Sequence, residues 1–217
     1  YILGIALGIA LMCGKESYAQ YNREYFFWVG RSCMMNNDYQ EAIRTLNTLL
    51  RFDEDAFEGY FLRGIAKYNL DDLLGAEDDF STAIRLNPVY TQAYTYRAIT
   101  RSRLGNYDDA LQDFREAIDL RPDLPGPYYS RGVTRLLNQQ FKEAIDDFDK
   151  FIRQENKVAD AFICRGLSYL HLKDTTRAYE NFNTAIRTNR ENPNGYNRRG
   201  GLHLQQEQYK EAEADFN

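Results

Sequence analysis

Cysteine is scarce in this sequence and is placed where it builds neither a disulfide framework nor a zinc site. The 217 residues include three cysteines, Cys13, Cys33 and Cys164, whose separations fit no metal-binding spacing. Cys33 and Cys164 are expected to be small buried residues without a bond between them, because four repeats of the pattern described below separate them. We therefore predict no metal and no cofactor.

Groups that could perform catalysis are also scarce. The two histidines, His171 and His203, have no cysteine, serine or carboxylate motif around them, and both are expected to be surface residues. The chain has no glycine-rich phosphate loop and no nucleophile elbow. Carboxylate pairs such as Asp108-Asp109 recur with the repeat, as solvated or arginine-paired faces do. We predict a protein that is not an enzyme, with no catalytic residues and no small-molecule substrate.

Positive charge is in deficit, since the formal net charge is −5. Such a chain repels phosphate backbones at long range, so binding to nucleic acid would need a strong local basic stripe. The one such stripe, described below, is expected to form structural ion pairs, and we predict no nucleic-acid partner. The composition is otherwise that of a folded protein, with 43% hydrophobic and 27% charged residues. Seventeen tyrosines and thirteen phenylalanines, against three methionines and one tryptophan, predict a core of stiff aromatic side chains.

No uncharged run is long enough to span a membrane. The apolar segment from Ile2 to Met12 is too short for the roughly 20 residues that a membrane helix needs. Ser17 and Ala19 supply the small residues of a cleavage site, so residues 1–19 are predicted to be an export signal peptide whose start is missing. Acylation of Cys13 or an uncleaved anchor is the alternative, and membrane contact is expected only in those cases. The predicted location is periplasmic or elsewhere in the cell envelope.

The dominant feature of the chain is a 34-residue pattern that occurs six times without insertion or deletion. A small residue opens the register at Gly30, Gly64, Ala98, Gly132, Gly166 and Gly200. Twelve residues later the chain has Ala42, Ala76, Ala110, Ala144, Ala178 and Ala212, and sixteen residues later Leu46, Phe80, Phe114, Phe148, Phe182 and Phe216. Small residues let two helices approach closely and aromatic residues fill the space between hairpins, so the pattern predicts stacked helical hairpins.

The turn and proline residues set the predicted helix limits. First helices are expected near residues 24–36, 57–70, 91–104, 126–138, 159–172 and 194–206. Second helices are expected near residues 39–52, 74–86, 107–120, 141–154, 175–188 and from 209 to the end.

One copy of the pattern carries a family resemblance. Its residues are Ala93-Tyr94, Ala98, Leu104-Gly105-Asn106-Tyr107, Ala110, Phe114, Ala117-Ile118 and Pro122, and they resemble a tetratricopeptide repeat (TPR). The resemblance implies an all-α, right-handed superhelical solenoid of TPR helix-turn-helix hairpins over residues 20–217. The repeats are expected at about 23–56, 57–90, 91–124, 125–158, 159–192 and 193–217, the last one truncated. The family's usual function is protein binding.

Each hairpin from the second onward has an arginine directly before the small residue. An aspartate stands sixteen residues later in four of these five hairpins, whereas the first repeat has Val29 and Thr45 at the two places. Because both partners are lost together, arginine and aspartate are expected to pair between the two helices of a hairpin. The predicted structural ion pairs are Arg63 with Asp79, Arg97 with Asp113, Arg131 with Asp147, and Arg199 with Asp215.

We refer to the five arginines before the small residues as the arginine stripe; they are Arg63, Arg97, Arg131, Arg165 and Arg199. Two further features of this stripe affect its interpretation. A second base follows four residues later in repeats two to four, at Lys67, Arg101 and Arg135, which places both bases on one helix face. In the fifth repeat Asn181 takes the place of the aspartate, so Arg165 is expected to be freer than the other arginines.

The concave wall of such a solenoid is formed by the first helices, and its exposed positions are mostly apolar. An apolar wall suits an amphipathic helix or an extended segment with aliphatic anchors, although neighbouring hairpins that cover these residues are an equally open reading. The predicted partner-binding residues are Phe61, Ile65, Tyr68, Tyr129, Val133, Leu136, Leu167 and Leu170. The lysine and asparagine set with which some family members hold a C-terminal carboxylate is absent from these positions.

The sequence thus predicts an exported, non-catalytic scaffold or adaptor that holds another protein in an apolar concave groove. The chain ends nine residues into its last second helix, so it is expected to be a fragment of a longer protein. Two alternatives stay open, a docking arm for a catalytic domain beyond residue 217 and self-assembly through the terminal face.

Overall fold

The computed structural model describes residues 23–217, and these residues form helices joined by short turns. The described part of α1 covers residues 23–35. The others are α2 (Tyr39–Phe52), α3 (Phe57–Asn69), α4 (Leu73–Leu86), α5 (Thr91–Arg103), α6 (Tyr107–Leu120), α7 (Pro125–Leu137), α8 (Phe141–Gln154), α9 (Ala159–His171), α10 (Thr175–Thr188), α11 (Pro193–Gln205) and α12 (Tyr209–Phe216). The helix limits predicted from the sequence are confirmed to within one residue, and the predicted signal peptide lies outside the described residues.

Capping residues begin several of these helices. Asp38, Asp72 and Asp174 each accept a hydrogen bond from the backbone N–H three residues on, at the starts of α2, α4 and α10. Pro125 and Pro193 occupy the first positions of α7 and α11, where the missing N–H has no helical partner to lose. Short polar and proline residues therefore separate helices that would otherwise be one continuous pattern.

The turn inside each hairpin uses a left-handed backbone conformation at one fixed register position. Seven residues after each small residue, φ is positive. The residues are Asn37, Asp71, Gly105, Gln139, Lys173 and Glu207, with φ between 59° and 83°. Glycine, which adopts this conformation without strain, is present only in the third of these turns, and Asn37 and Asp71 are residue types that tolerate it. At Gln139, Lys173 and Glu207 the packing of the two helices imposes the turn geometry.

The chain divides into two compact units, the first ending at Leu104 and the second beginning at Gly105. In the first unit α2 packs on α3, α3 on α4 and α4 on α5. Phe80 of α4 is fully buried against Gly64 of α3, where an added Cβ would stand 2.7 Å from the ring. The close approach of these two helices explains why the register position needs a small residue.

The second unit repeats this packing. Here α6 packs on α7, and each helix from α7 to α11 contacts the next one along the chain. Phe148 and Phe182 are fully buried against Gly132 and Gly166, as Phe80 is against Gly64. The two units are therefore all-α stacks of TPR hairpins with the same internal register. Within residues 23–217 every helix is too short or too polar to cross a membrane.

Candidate functional site

The arginine stripe is held by carboxylates of the second helices. The guanidinium of Arg63 donates from Nε and Nη2 to Asp79 at 2.9 and 2.6 Å, and that of Arg131 donates to Asp147 at 2.9 and 2.7 Å. Arg199 makes the same two-pronged contact with Asp215, and this hydrogen bonding raises the pKa of Arg199. Arg97 and Asp113 belong to different units, and their pairing stays a prediction.

The second bases converge on the same carboxylates. Lys67 Nζ lies 2.8 Å from Asp79 Oδ2, and Arg135 Nη1 lies 2.6 Å from Asp147 Oδ2. The side chains of both aspartates are only 1% exposed, so each buried charge is met by two cations. The bases of these hairpins are therefore used for packing between helices and do not form an open anionic-ligand site.

Sequence reasoning missed a second role of the arginines. For four of the five arginines, the residue sixteen positions earlier is a polar residue on the second helix of the preceding hairpin that accepts a hydrogen bond from the arginine, whereas Arg131 has Arg115 at that place. These contacts join Arg63 to Asn47 at 2.7 Å, Arg97 to Ser81 at 3.1 Å, Arg165 to Asp149, and Arg199 to Asn183. One arginine thus links two successive hairpins. The signal in the sequence was an acceptor residue seventeen positions after the small residue in four of the first five repeats.

The prediction that Arg165 is freer than the other arginines is wrong. Its Nε donates to Asn181 Oδ1 at 2.8 Å, and its Nη1 forms an ion pair with Asp149. The amide oxygen of Asn181 replaces one carboxylate oxygen, and the charge is supplied from the preceding hairpin instead. Both sides of this guanidinium are consequently occupied.

The histidine and cysteine expectations also need correction. His203 is buried, with 7% of its surface exposed, because its ring contacts Tyr179 edge-on and Gln208 hydrogen-bonds its Nδ1. His171 is exposed, as expected, and stacks on the ring of Phe141 at 4.5 Å. Cys33 and Cys164 are free thiols that are only partly buried, and burial raises the pKa of Cys164 to about 11.

In the first unit the predicted wall residues pack against the next hairpin. Phe61 is 7% exposed and packs against Tyr90 and Tyr96 with ring centroids 4.9 and 5.4 Å apart, so it has little surface to offer a partner. Ile65 and Tyr68 pack at the edge of the same core cluster. The guanidinium of Arg103 lies over the ring of Tyr68, 4.7 Å from its centroid. Here the neighbouring hairpin buries Phe61 and leaves Ile65 and Tyr68 partly exposed.

Tyr129 in the second unit is a packing residue as well as a wall residue. Its ring contacts Phe148 and Phe151 at centroid distances of 6.1 and 5.1 Å. Its hydroxyl hydrogen-bonds Cys164, and burial is the main reason why the pKa of Tyr129 is raised. The neutral phenol joins α7 to α9, and only part of the ring is exposed.

The remaining predicted residues form an aliphatic surface on two adjacent first helices. α7 contacts α9, and α9 contacts α11. On α7, Val133 and Leu136 are one turn apart and partly exposed, and Leu167 and Leu170 repeat this arrangement on α9. Leu167 also packs against the core cluster around Phe162, whereas Leu136 and Leu170 belong to none of the clusters described for residues 23–217. We refer to Val133, Leu136, Leu167 and Leu170 as the aliphatic strip.

Two stretches of the chain match family models for the repeat. Residues 101–139 match a model described as a TPR repeat, and residues 164–217 match one described as a tetratricopeptide repeat. A search of curated protein sequences found no match.

Solved structures share the fold at low sequence identity. PilW, described as a widely conserved type IV pilus biogenesis factor, is 14% identical with a TM-score of 0.81, over 89% of this chain and 90% of its own. PilF of Pseudomonas aeruginosa is 13% identical with a TM-score of 0.78, over 91% and 90% of the two chains. YrrB, described as a TPR protein with an unusual peptide-binding site, is 19% identical with a TM-score of 0.68, over 83% and 90%. Identities in this range show a common fold.

Proposed function

Because this chain belongs to the tetratricopeptide-repeat proteins, we propose that it is a non-catalytic scaffold that binds a segment of another protein. The observation that carries the proposal is the aliphatic strip, where Leu136 and Leu170 are partly exposed on neighbouring helices without a place in the described core. An amphipathic helix or an extended segment with aliphatic side chains can bury such a surface. The peptide-binding site in the description of YrrB offers a parallel in the same fold.

The surrounding chemistry favours a protein partner over an anionic one. Arg63, Lys67, Arg131, Arg135 and Arg199 are bound to buried aspartates, which leaves them unsuited to binding phosphate. No group of histidine, cysteine and acidic residues suited to a metal ion occurs within residues 23–217. The aliphatic strip is the remaining candidate surface, and the partner segment is expected to bind it through aliphatic side chains.

The test replaces Leu136 and Leu170 together with aspartate. A charge at each position prevents burial of the strip, so proteins captured from the native extract by the wild type, identified by mass spectrometry, should be lost. Leu74→Asp is the matched control, because Leu74 is an equally large, exposed residue at the start of the second helix α4. Unchanged capture by the double variant, with circular dichroism showing intact helices, would rule out the strip.

We also propose that the protein acts in the cell envelope after removal of residues 1–19. The proposal rests on the apolar run and the small residues Ser17 and Ala19. N-terminal sequencing of the protein purified from its native source should begin at Gln20. Recovery of a chain that retains residues 1–19 would contradict export by cleavage.

A further inference from the structure

A cavity of about 610 Å³ lies between α1, the end of α2 and the start of α3. Its apolar lining includes the rings of Phe27, Phe52 and Phe57, with Leu49 fully buried beneath them. Phe52 is 59% exposed although its ring stacks on Phe26 at 5.9 Å. Three aromatic rings that share one opening form a surface on which a flat or cationic group can stack.

The charged residues around this opening are mostly acidic. Glu24, Asp53 and Glu58 line it together with a single base, Arg23. Arg23 is already used, because its Nε lies 2.7 Å from Asp53 Oδ2. Glu24 and Glu58 are both exposed and form no ion pair within the described residues. Two carboxylates are therefore left to meet a positive charge from outside.

A second base, Arg31, lies close to this cavity and adds positive charge near it. Its guanidinium stands 5.9 Å from the centroid of Phe27, and both Arg31 and Glu58 act electrostatically on Tyr90. Arg31 does not line the cavity, and the three acids still outnumber the two bases when it is counted. Its position on Phe27 also shows that a ring of this site accepts a guanidinium face.

We propose that this cavity binds a basic side chain of a partner segment, with its charge between Glu24 and Glu58 and its stem or guanidinium plane against the phenylalanine rings. The proposal rests on the proposed function as a protein scaffold and adds the chemistry of one partner residue. Arginine fits best, because its planar, weakly hydrated group stacks on aromatic rings and reaches carboxylates at the same time.

The experiment titrates the full chain with an acetylated, amidated pentapeptide that has arginine at its centre and leucine on either side. Nuclear magnetic resonance shifts of amides in α1 and α3 report binding. The arginine peptide should bind about fivefold more tightly than the same peptide with norleucine, since each of the two exposed carboxylates contributes a roughly twofold to threefold gain. A glutamate peptide should bind more weakly than both, and added salt should reduce the preference for arginine.

Substitutions of glutamates inside and outside the cavity provide the control. Glu24→Gln with Glu58→Gln should abolish the preference for arginine over norleucine, whereas Glu54→Gln, an exposed residue of the turn before α3, should leave it unchanged. Equal binding of the arginine and norleucine peptides to the wild type, or equal loss with Glu54→Gln, would overturn the proposal. Loss of partner capture through Leu136 and Leu170 is measured separately, so either idea can fail alone.

Discussion

At the scale of single residues, the stripe arginines make more contacts than the sequence pattern predicted. Arg63 contacts Asp79 of its own hairpin and Asn47 of the preceding one, and its guanidinium lies 5.3 Å from the centroid of the Tyr60 ring. These contacts use the planar geometry that distinguishes arginine from lysine. The stability of this hairpin therefore depends on the buried carboxylate of Asp79, which pairs with both Arg63 and Lys67.

Replacing Asp79 tests this dependence. Asp79→Ala leaves Arg63 and Lys67 partly buried without their counter-charge and should lower the free energy of unfolding by about 3–5 kcal/mol. Asp79→Asn keeps one acceptor oxygen, as Asn181 does for Arg165, and should cost about 1–3 kcal/mol. Urea denaturation followed by circular dichroism measures both. The neighbouring exposed Asp78→Ala should change stability by less than about 0.5 kcal/mol, and an equal loss there would contradict the assignment.

Two glycines of the second unit should respond to the same substitution with opposite sign. Gly132→Ala places a Cβ 2.9 Å from the fully buried ring of Phe148 and should destabilise by about 1–3 kcal/mol. Gly201, inside α11, has nothing within 4 Å of an added Cβ, so Gly201→Ala should stabilise by about 0.5–1 kcal/mol through helix propensity. Thermal unfolding of the two variants compares them directly, and a stabilising Gly132→Ala would show that the helices can separate without cost.

At the scale of the hairpin, the helices determine the turn more than the turn residue does. Gly105 has the positive φ that glycine accepts, whereas Gln139 and Lys173 adopt the same conformation at a cost. Backbone hydrogen bonds formed in each turn offset this conformational cost; for example, Gln140 N donates to Arg135 O at 2.8 Å. Turn chemistry alone favours this conformation at Gly105, Asn37 and Asp71 and does not favour it at Gln139, Lys173 and Glu207.

Relief of this strain is measurable. Gln139→Gly removes the unfavourable contact of a Cβ in a left-handed residue and should stabilise the chain by about 0.5–1 kcal/mol. Gln112→Gly, at an exposed position inside α6, is the opposite control and should destabilise by about 1 kcal/mol. Chemical denaturation of the two variants gives the comparison. If Gln139→Gly also destabilised, the turn would owe its conformation to the glutamine side chain.

At the scale of the whole molecule, stability is expected to be local. Within each unit the helices contact their neighbours along the chain and, for first helices, the next first helix. In such arrays the free energy is close to a sum of hairpin terms and nearest-neighbour terms. A defect in one hairpin is therefore expected to open that hairpin and those beside it before the rest of the chain.

Hydrogen exchange measured by mass spectrometry tests this locality. Asp147→Ala removes the acceptor of Arg131 and Arg135 and should increase amide exchange in α7 and α8 first. Exchange in α2, α3 and α4 should be nearly unchanged. A uniform increase over all helices would show that the chain unfolds as one cooperative unit instead.

Helix limits and hairpin register were predictable because both come from local and repeated information. Small residues, aromatic residues and prolines recur every 34 positions, so comparison of the six copies fixes helix limits that a single copy leaves ambiguous. The places sixteen residues apart that hold Arg63 and Asp79 were found in the same way. Burial of the candidate site was less accessible, because the residues that cover Phe61 come from the next hairpin and vary among repeats.

The sequence by itself determined the class of fold, the helices, the small and aromatic packing positions, and the absence of catalytic motifs, since each follows from the residue types at fixed spacing. Only the tertiary structure decided that His203 is buried, that Arg165 is held from both sides, and that Phe61 is buried whereas the residues of the aliphatic strip are partly exposed. The reason is physical: exposure depends on the side chains that neighbouring hairpins place over a residue, and periodicity does not specify their size.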